Sequence, residues 1–130
     1  VTGWTNEPWL PEASREKAAI VGPLMLDMLR RAHEGGVNVA FGTDTGVSRH
    51  GQNAKEFALM VEAGFTPEDA IRSATVIASK HLEMNSDIGT LEAGKYADLI
   101  AMTADPLKKI TELESVDFVM KGGVVHKGLN

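Results

Sequence analysis

Cysteine is absent from this 130-residue chain, which excludes disulfides and thiolate metal ligands together and leaves the redox compartment unreadable. An excess of positive charge is absent too. The formal net charge is −5 and the longest basic run is Lys108-Lys109, which argues against a nucleic-acid surface. No apolar run reaches the length of a membrane span, and the first residues do not read as a secretory signal. There is no internal repeat and no low-complexity segment. Several motifs that carry chemistry are also missing. The chain has no G-x-x-x-x-G-K-S/T phosphate loop, no G-x-G-x-x-G and no G-x-S-x-G elbow. Its four histidines, His33, His50, His81 and His126, form no H-x-H or H-E-x-x-H pair. A zinc site takes three or four protein ligands, so these residues do not amount to a complete active site.

What is present suits a globular chain of one domain's length: 43% of residues are hydrophobic and 24% charged. The chain opens on Val1 in a polar segment holding Trp4, Pro8, Trp9 and Pro11, which reads as a loop. Such an opening resembles the interior of a longer protein, a processed or trimmed chain being the alternative. Trp4 and Trp9 are candidates to line a pocket, although packing is the commoner fate of tryptophan.

The apolar spacing predicts three helices. The first runs from about 14 to 34, with Ser14 as N-cap, and Val21, Met25, Met28, Leu29 and Ala32 make one apolar face. Gly22-Pro23 is expected to kink or divide it, and Gly35-Gly36 to end it. His33 in its last turn suits the helix dipole. The second helix covers about 53–63 on Ala54, Phe57, Ala58 and Val61. The third covers 67–80, with Thr66 as N-cap, Pro67 at its first position and Glu68 and Asp69 behind. It is expected to bury Ile71, Ala74, Thr75 and Ala78. Between the first two lies a short alternating run, residues 37–41, expected as a strand. From residue 86 the pattern changes. Strands are expected at 88–91 and 97–102, a helical turn at 110–113, and a hairpin of 116–120 with 124–127 through Lys121-Gly122-Gly123.

The strand at 37–41 stops at Gly42 and delivers Asp44 into a loop rich in glycine, threonine and serine. Loops at the carboxyl ends of parallel strands carry the chemistry of α/β enzymes, while an Asp beside Gly and Thr also serves as an ordinary turn residue. The residues around it settle on a family. Ala40-Phe41-Gly42-Thr43-Asp44-Thr45-Gly46, His50-Gly51-Gln52-Asn53-Ala54-Lys55-Glu56 and Gly64-Phe65-Thr66-Pro67-Glu68-Asp69-Ala70-Ile71 occur in order. They are followed by Ala74-Thr75, by Leu91-Glu92-Ala93-Gly94-Lys95-Tyr96-Ala97-Asp98-Leu99-Ile100, and by Lys121-Gly122-Gly123-Val124-Val125. From about residue 14 onward this series closely resembles the C-terminal third of the metal-dependent amidohydrolase superfamily. The branch it resembles most holds imidazolonepropionase-related and prolidase-like (Xaa-Pro, Xaa-Arg/Lys dipeptidase) enzymes.

That resemblance implies an α/β fold: the last strand and helices of a (β/α)8 TIM-like barrel in residues 1–85, with 37–41 as the eighth strand. Residues 86–130 would supply the C-terminal strands of a small composite β-sandwich. It implies one or two divalent metals, usually zinc, and of the family's ligands only the Asp after the eighth strand has a counterpart here, Asp44. The others would lie upstream, making this chain a C-terminal fragment inactive alone, with the upstream barrel portion as its partner. Asp44 is therefore expected both to bind metal and to move the proton released when water attacks the substrate. His50 and Arg49, on the same loop, are candidates to touch substrate, a guanidinium being suited to a peptide carboxylate. Asp98 is read as structural, holding the appended sheet, and His81 and His126 carry no role.

The implied activity is hydrolysis of a dipeptide-like or cyclic amide bond in a small-molecule or dipeptide substrate, with imidazolonepropionase-type ring opening as the alternative. A rival of another class is a non-catalytic folded or oligomerisation module, since one strand closes no barrel and an uncovered apolar strand invites association. A homo-oligomer is expected, without nucleic-acid or membrane partners, and the cytoplasm is favoured as compartment.

Overall fold

The computed structural model describes residues 9–45 and 50–128. Helix α1, Glu12–Glu34, is followed by an extended segment and then by α2, Lys55–Glu62. A third helical rod is built from α3, Pro67–Arg72, a wide π-type turn, Ser73–Ile77, and α4, Ala78–His81. After it come β1, Leu99–Ala101, a 3-10 turn at Ile110–Glu114, β2, Phe118–Lys121, and β3, Val124–Lys127. The three strands form one antiparallel sheet in the order β1-β2-β3, with Ile100 opposite Val119 and a register irregularity between Val119 and Met120. No helix among the described residues is long and apolar enough to cross a membrane.

The core sits where α1, α2 and the third rod meet. Met60, Ala63, Phe65 and Ala70 are buried there, with Leu26, Leu29, Val39, Phe41, Phe57 and Val61 packed around them. Burying a side chain of this kind stabilises by about 1.5–3 kcal/mol. Two ring stacks lock the surrounding elements onto this centre: Phe41 on Phe57, with centroids 4.4 Å apart, and His33 on Phe65 at 3.9 Å.

Several helical expectations need correction. Pro11, not Ser14, precedes α1, and no side chain caps it. Pro23 lies inside α1 without dividing it. Proline removes one ladder bond, while the buried Ala18 and Gly22, with Leu26 and Leu29 against the core, still fix the helix on its neighbours. The core-facing stripe is this one. Met25 and Met28, expected inside, are 43% and 53% exposed, because they lie on the wall of an open cleft between α1, the extended segment and α2 rather than in the packed centre. In the third rod, Thr66 caps as expected: its hydroxyl accepts the Asp69 N–H and donates to the Asp69 carboxylate. The buried positions, however, are Ala70, Ser73 and Ser79 rather than Thr75, which is exposed. The wide turn moves later residues out of the regular 3.6-residue phase.

The strand expected at 37–41 is extended but belongs to no ladder among the described residues. A parallel strand needs a neighbour for its hydrogen bonds, and this segment is instead tied at its two ends, by the Val37 N–H to the Ala32 carbonyl at 3.0 Å and by the Phe41 N–H to the Ser73 carbonyl at 3.1 Å. The strand expected at 88–91 is also missing. Gly89 there has φ +95, and a Cβ on it would lie 2.3 Å from Ser79 Oγ, so the loop crosses the end of the third rod at a distance that only glycine permits. Lys95 holds the same loop, donating to the Asn85 carbonyl at 2.7 Å and to Thr90 Oγ1 at 2.6 Å. The structural reading of Asp98 holds. Just ahead of β1, its Oδ1 accepts the Gly122 N–H at 2.6 Å and ties the hairpin turn to the start of the sheet.

Candidate functional site

Asp44 stands three residues beyond the point where Phe41 is fixed by Phe57 and by the Ser73 carbonyl. Its φ is +47, a left-handed conformation uncommon outside glycine and best tolerated by Asn and Asp. Its side chain is exposed. On either side, Thr43 and Thr45 turn their hydroxyls toward each other at 2.7 Å. Asn53 Nδ2 donates to both hydroxyls at 2.8 Å. The chain thus presents a carboxylate at the apex of a short polar arch, with its footing held from across the loop.

The other expected residues are less well placed. His50 is exposed at the far side of the loop, and neither it nor Asp44 has a hydrogen-bond or ion-pair partner among the described residues. Arg49 and Trp4 lie outside the described residues. Trp9 is 53% exposed, while His81 and His126 lie exposed on α4 and β3. Asn53 and the two threonines were legible only as motif letters and a helix start. The available signal was an amide-bearing side chain shortly after a Thr-Asp-Thr turn, since such a group can donate two hydrogen bonds at once.

Two clefts flank this arrangement. One, about 220 Å³, lies between α1, the extended segment and α2, and its walls are largely apolar: Met25, Leu29, Val39, Phe41 and Leu59, with Glu56 at its side. The other, about 510 Å³, lies between the loop ahead of α2 and the sheet region, with Gly51, Ala54, Leu113, Asp117 and Lys127 on its walls. Asp117 is engaged there. The Thr103 hydroxyl and N–H both donate to its carboxylate, at 2.7 and 2.8 Å, and hold it below the usual carboxylate range, with Lys127 adding to the effect. Asp44 lines neither cleft.

Among the described residues no group of three or more His, Asp or Glu side chains is clustered to hold a metal ion. Asp44 offers one carboxylate, fit for one coordination position, and the described residues do not complete a site.

Residues 19–126 match the profile of the amidohydrolase family. The chain belongs to this family. A crystal structure of a Xaa-Pro dipeptidase with methionine bound in its active site superposes with a TM-score of 0.87 and 46% identity, over 97% of this chain and 31% of that one. A 5-methylthioadenosine/S-adenosylhomocysteine deaminase from Symbiobacterium thermophilum is 38% identical over 81 residues, 54% of this chain and 19% of its own length. Imidazolonepropionase from Shouchella clausii is 31% identical over 98 residues, 71% of this chain and 22% of its own length. The chain therefore spans about a fifth of the length of these curated relatives and under a third of the dipeptidase. The likeness implies an α/β fold related to the TIM barrel, and the described residues of this amidohydrolase chain form helices and a small antiparallel sheet.

Proposed function

We propose that this chain supplies Asp44 to the active site of a metal-dependent amidohydrolase that cleaves a peptide bond of the Xaa-Pro or Xaa-Arg/Lys dipeptide kind. The observation that carries the reading is the position of Asp44. It is an exposed carboxylate in a left-handed turn at the end of a fixed extended segment, inside a stretch matching the amidohydrolase family. The likeness to a Xaa-Pro dipeptidase across nearly the whole chain favours the dipeptide substrate; the match to imidazolonepropionase keeps ring opening of a cyclic amide as the second reading. In both, water attacks an amide carbonyl and the C–N bond breaks.

On this reading residues 1–85 belong to the barrel, residues 86–130 to the β-sandwich, and the remaining metal ligands come from another part of the same polypeptide. One or two divalent ions, zinc in our reading, supply Lewis acidity when bound. Asp44 would hold such an ion through one carboxylate oxygen, and its acid–base role would be to take the proton from the attacking water and hand it to the leaving nitrogen. His50 and Arg49 follow Asp44 closely in the sequence, and we assign them to contact with a peptide carboxylate of the substrate. The uncovered flank of α1, with Ile20, Leu24 and Met28 all more than half exposed, supports covering by the rest of the barrel or by a second copy of the protein.

The test is turnover by the intact protein on Xaa-Pro, Xaa-Arg and Xaa-Lys dipeptides and on a cyclic amide, with bound metal followed by elemental mass spectrometry. Asp44→Asn should lower kcat by about 10²–10⁴-fold, the range expected for a lost acid–base group, with the thermal midpoint nearly unchanged. Near-normal turnover in that variant would overturn the assignment.

A further inference from the structure

We infer that Asn53 is a positioning residue for Asp44, acting through the hydroxyls of Thr43 and Thr45. The inference rests on the catalytic reading of Asp44 and goes beyond it by naming what holds that carboxylate in place.

Three observations converge. A non-glycine residue at positive φ costs on the order of 1–3 kcal/mol and persists only where its surroundings over-determine it, and Asp44 sits at φ +47. The residues on both sides of it are tied to one group, the Asn53 side-chain amide, by two bonds of 2.8 Å, and to each other at 2.7 Å. An amide nitrogen only donates, and that of Asn53 reaches the hydroxyls on both neighbours of Asp44. Finally, Asn53 is itself anchored. Its carbonyl accepts the Glu56 N–H at 3.1 Å, one turn ahead of the buried Met60 on α2. Force on the arch therefore passes to a helix seated in the core and not to solvent.

Chemically, this geometry needs an amide. Asp at position 53 has no proton to donate and would set a second negative charge near Asp44; Gln is one methylene too long for the same two bonds. Threonine at 43 and 45 serves as the link because each hydroxyl accepts from Asn53 and the pair still shares its own bond.

The experiment uses the intact protein and three variants: Asn53→Ala, Thr43→Val/Thr45→Val, and all three changes together. Two readouts are taken, steady-state kinetics and the rate at which bound metal is lost to a chelator. Asn53→Ala should lower kcat by about 10–100-fold, the range that follows a displacement near 1 Å at a reacting group, with KM within about twofold. Metal loss should accelerate. The threonine pair should reproduce both effects, and adding Asn53→Ala to it should change neither readout further, because the amide then has nothing left to hold. Additive losses, or an unchanged kcat in Asn53→Ala, would overturn the inference. Should Asn53→Ala fail to fold, Thr45→Val alone, which cuts one arm, should still give a smaller loss in kcat, and parent-like kinetics and metal retention there would overturn it. Asp44→Asn separates the two levels. If it is active, the catalytic reading itself fails; if it is inactive while Asn53→Ala is normal, only the positioning role falls.

Discussion

Between residues 12 and 81 the chain is fixed by apolar packing around Met60, Phe65 and Ala70, whereas between 85 and 128 it is fixed largely by polar side chains that reach the backbone. The first region has stacked rings and a closed core. In the second, only Ile110 and Leu113 are buried hydrophobics, and Lys95, Asp98 and Asp117 clamp turns and strand ends through carbonyl and N–H groups. The difference teaches where each region is vulnerable. Packing fails when volume is removed, and clamps fail when a donor or a charge is removed.

The largest effect should come from the packed side. Met60→Ala empties a fully enclosed position and should cost about 2–5 kcal/mol in denaturant unfolding, with the helices losing signal first. Next comes the crossing between the regions. Gly89→Ala combines a positive φ with a Cβ driven against Ser79, and should cost about 1–3 kcal/mol; a stability equal to the parent would mean the two regions are not pressed together there. Lys95→Met keeps the stem and deletes two hydrogen bonds, for a loss of about 1–2 kcal/mol. That loss should appear in protection of the 85–95 loop from hydrogen exchange and leave the residues around Met60 unaffected.

The smallest effect is on pH dependence. The Thr103 hydroxyl and N–H, with Lys127, hold the folded Asp117 carboxyl below its ordinary value. A lowered folded value means that the stabilisation is present above the unfolded carboxylate range and is lost as pH falls through the folded value. Asp117→Asn should therefore flatten the acid limb of a plot of thermal midpoint against pH. Asp27 in α1 is lowered too, by hydrogen bonding with Arg30 first and by the charges of Arg30 and Arg31. Its share should weaken in high salt, which screens exposed ion pairs, while the share of Asp117, set mainly by hydrogen bonds, should persist.

Much of this was readable beforehand, for physical reasons that differ by residue. Thr66-Pro67-Glu68-Asp69 marks a helix start by local chemistry alone, and the cap is there. Lys121-Gly122-Gly123 marks a hairpin because the turn needs positive φ, which Gly122 and Gly123 adopt. What the sequence leaves open depends on neighbours. Residues 37–41 have the alternation of a strand and are extended, but a ladder requires a second strand, and periodicity contains no information about its presence. The buried faces of α1 and of the third rod were misjudged for related reasons. Met25 and Met28 are as apolar as Leu26 and Leu29, so composition does not decide which flank is covered, and the wide turn at Ser73–Ile77 shifts phase without any unusual residue to announce it. Asp44 stands out in the sequence through the motif around it, whereas the bonds of Asn53 to the two threonines exist only once the loop folds back.

The bond from the Phe41 N–H to the Ser73 carbonyl gives the molecule a built-in stopwatch. Among the described residues of the extended segment, Val37 and Phe41 donate backbone hydrogen bonds, Val37 to the end of α1 and Phe41 to the wide turn. Deuterium uptake at the Phe41 amide therefore requires the segment that leads to Asp44 to lift away from the third rod, whereas uptake at Val37 requires only fraying of α1. The ratio of those two rates reports, in a single labelling experiment, how often the carboxylate's support lets go.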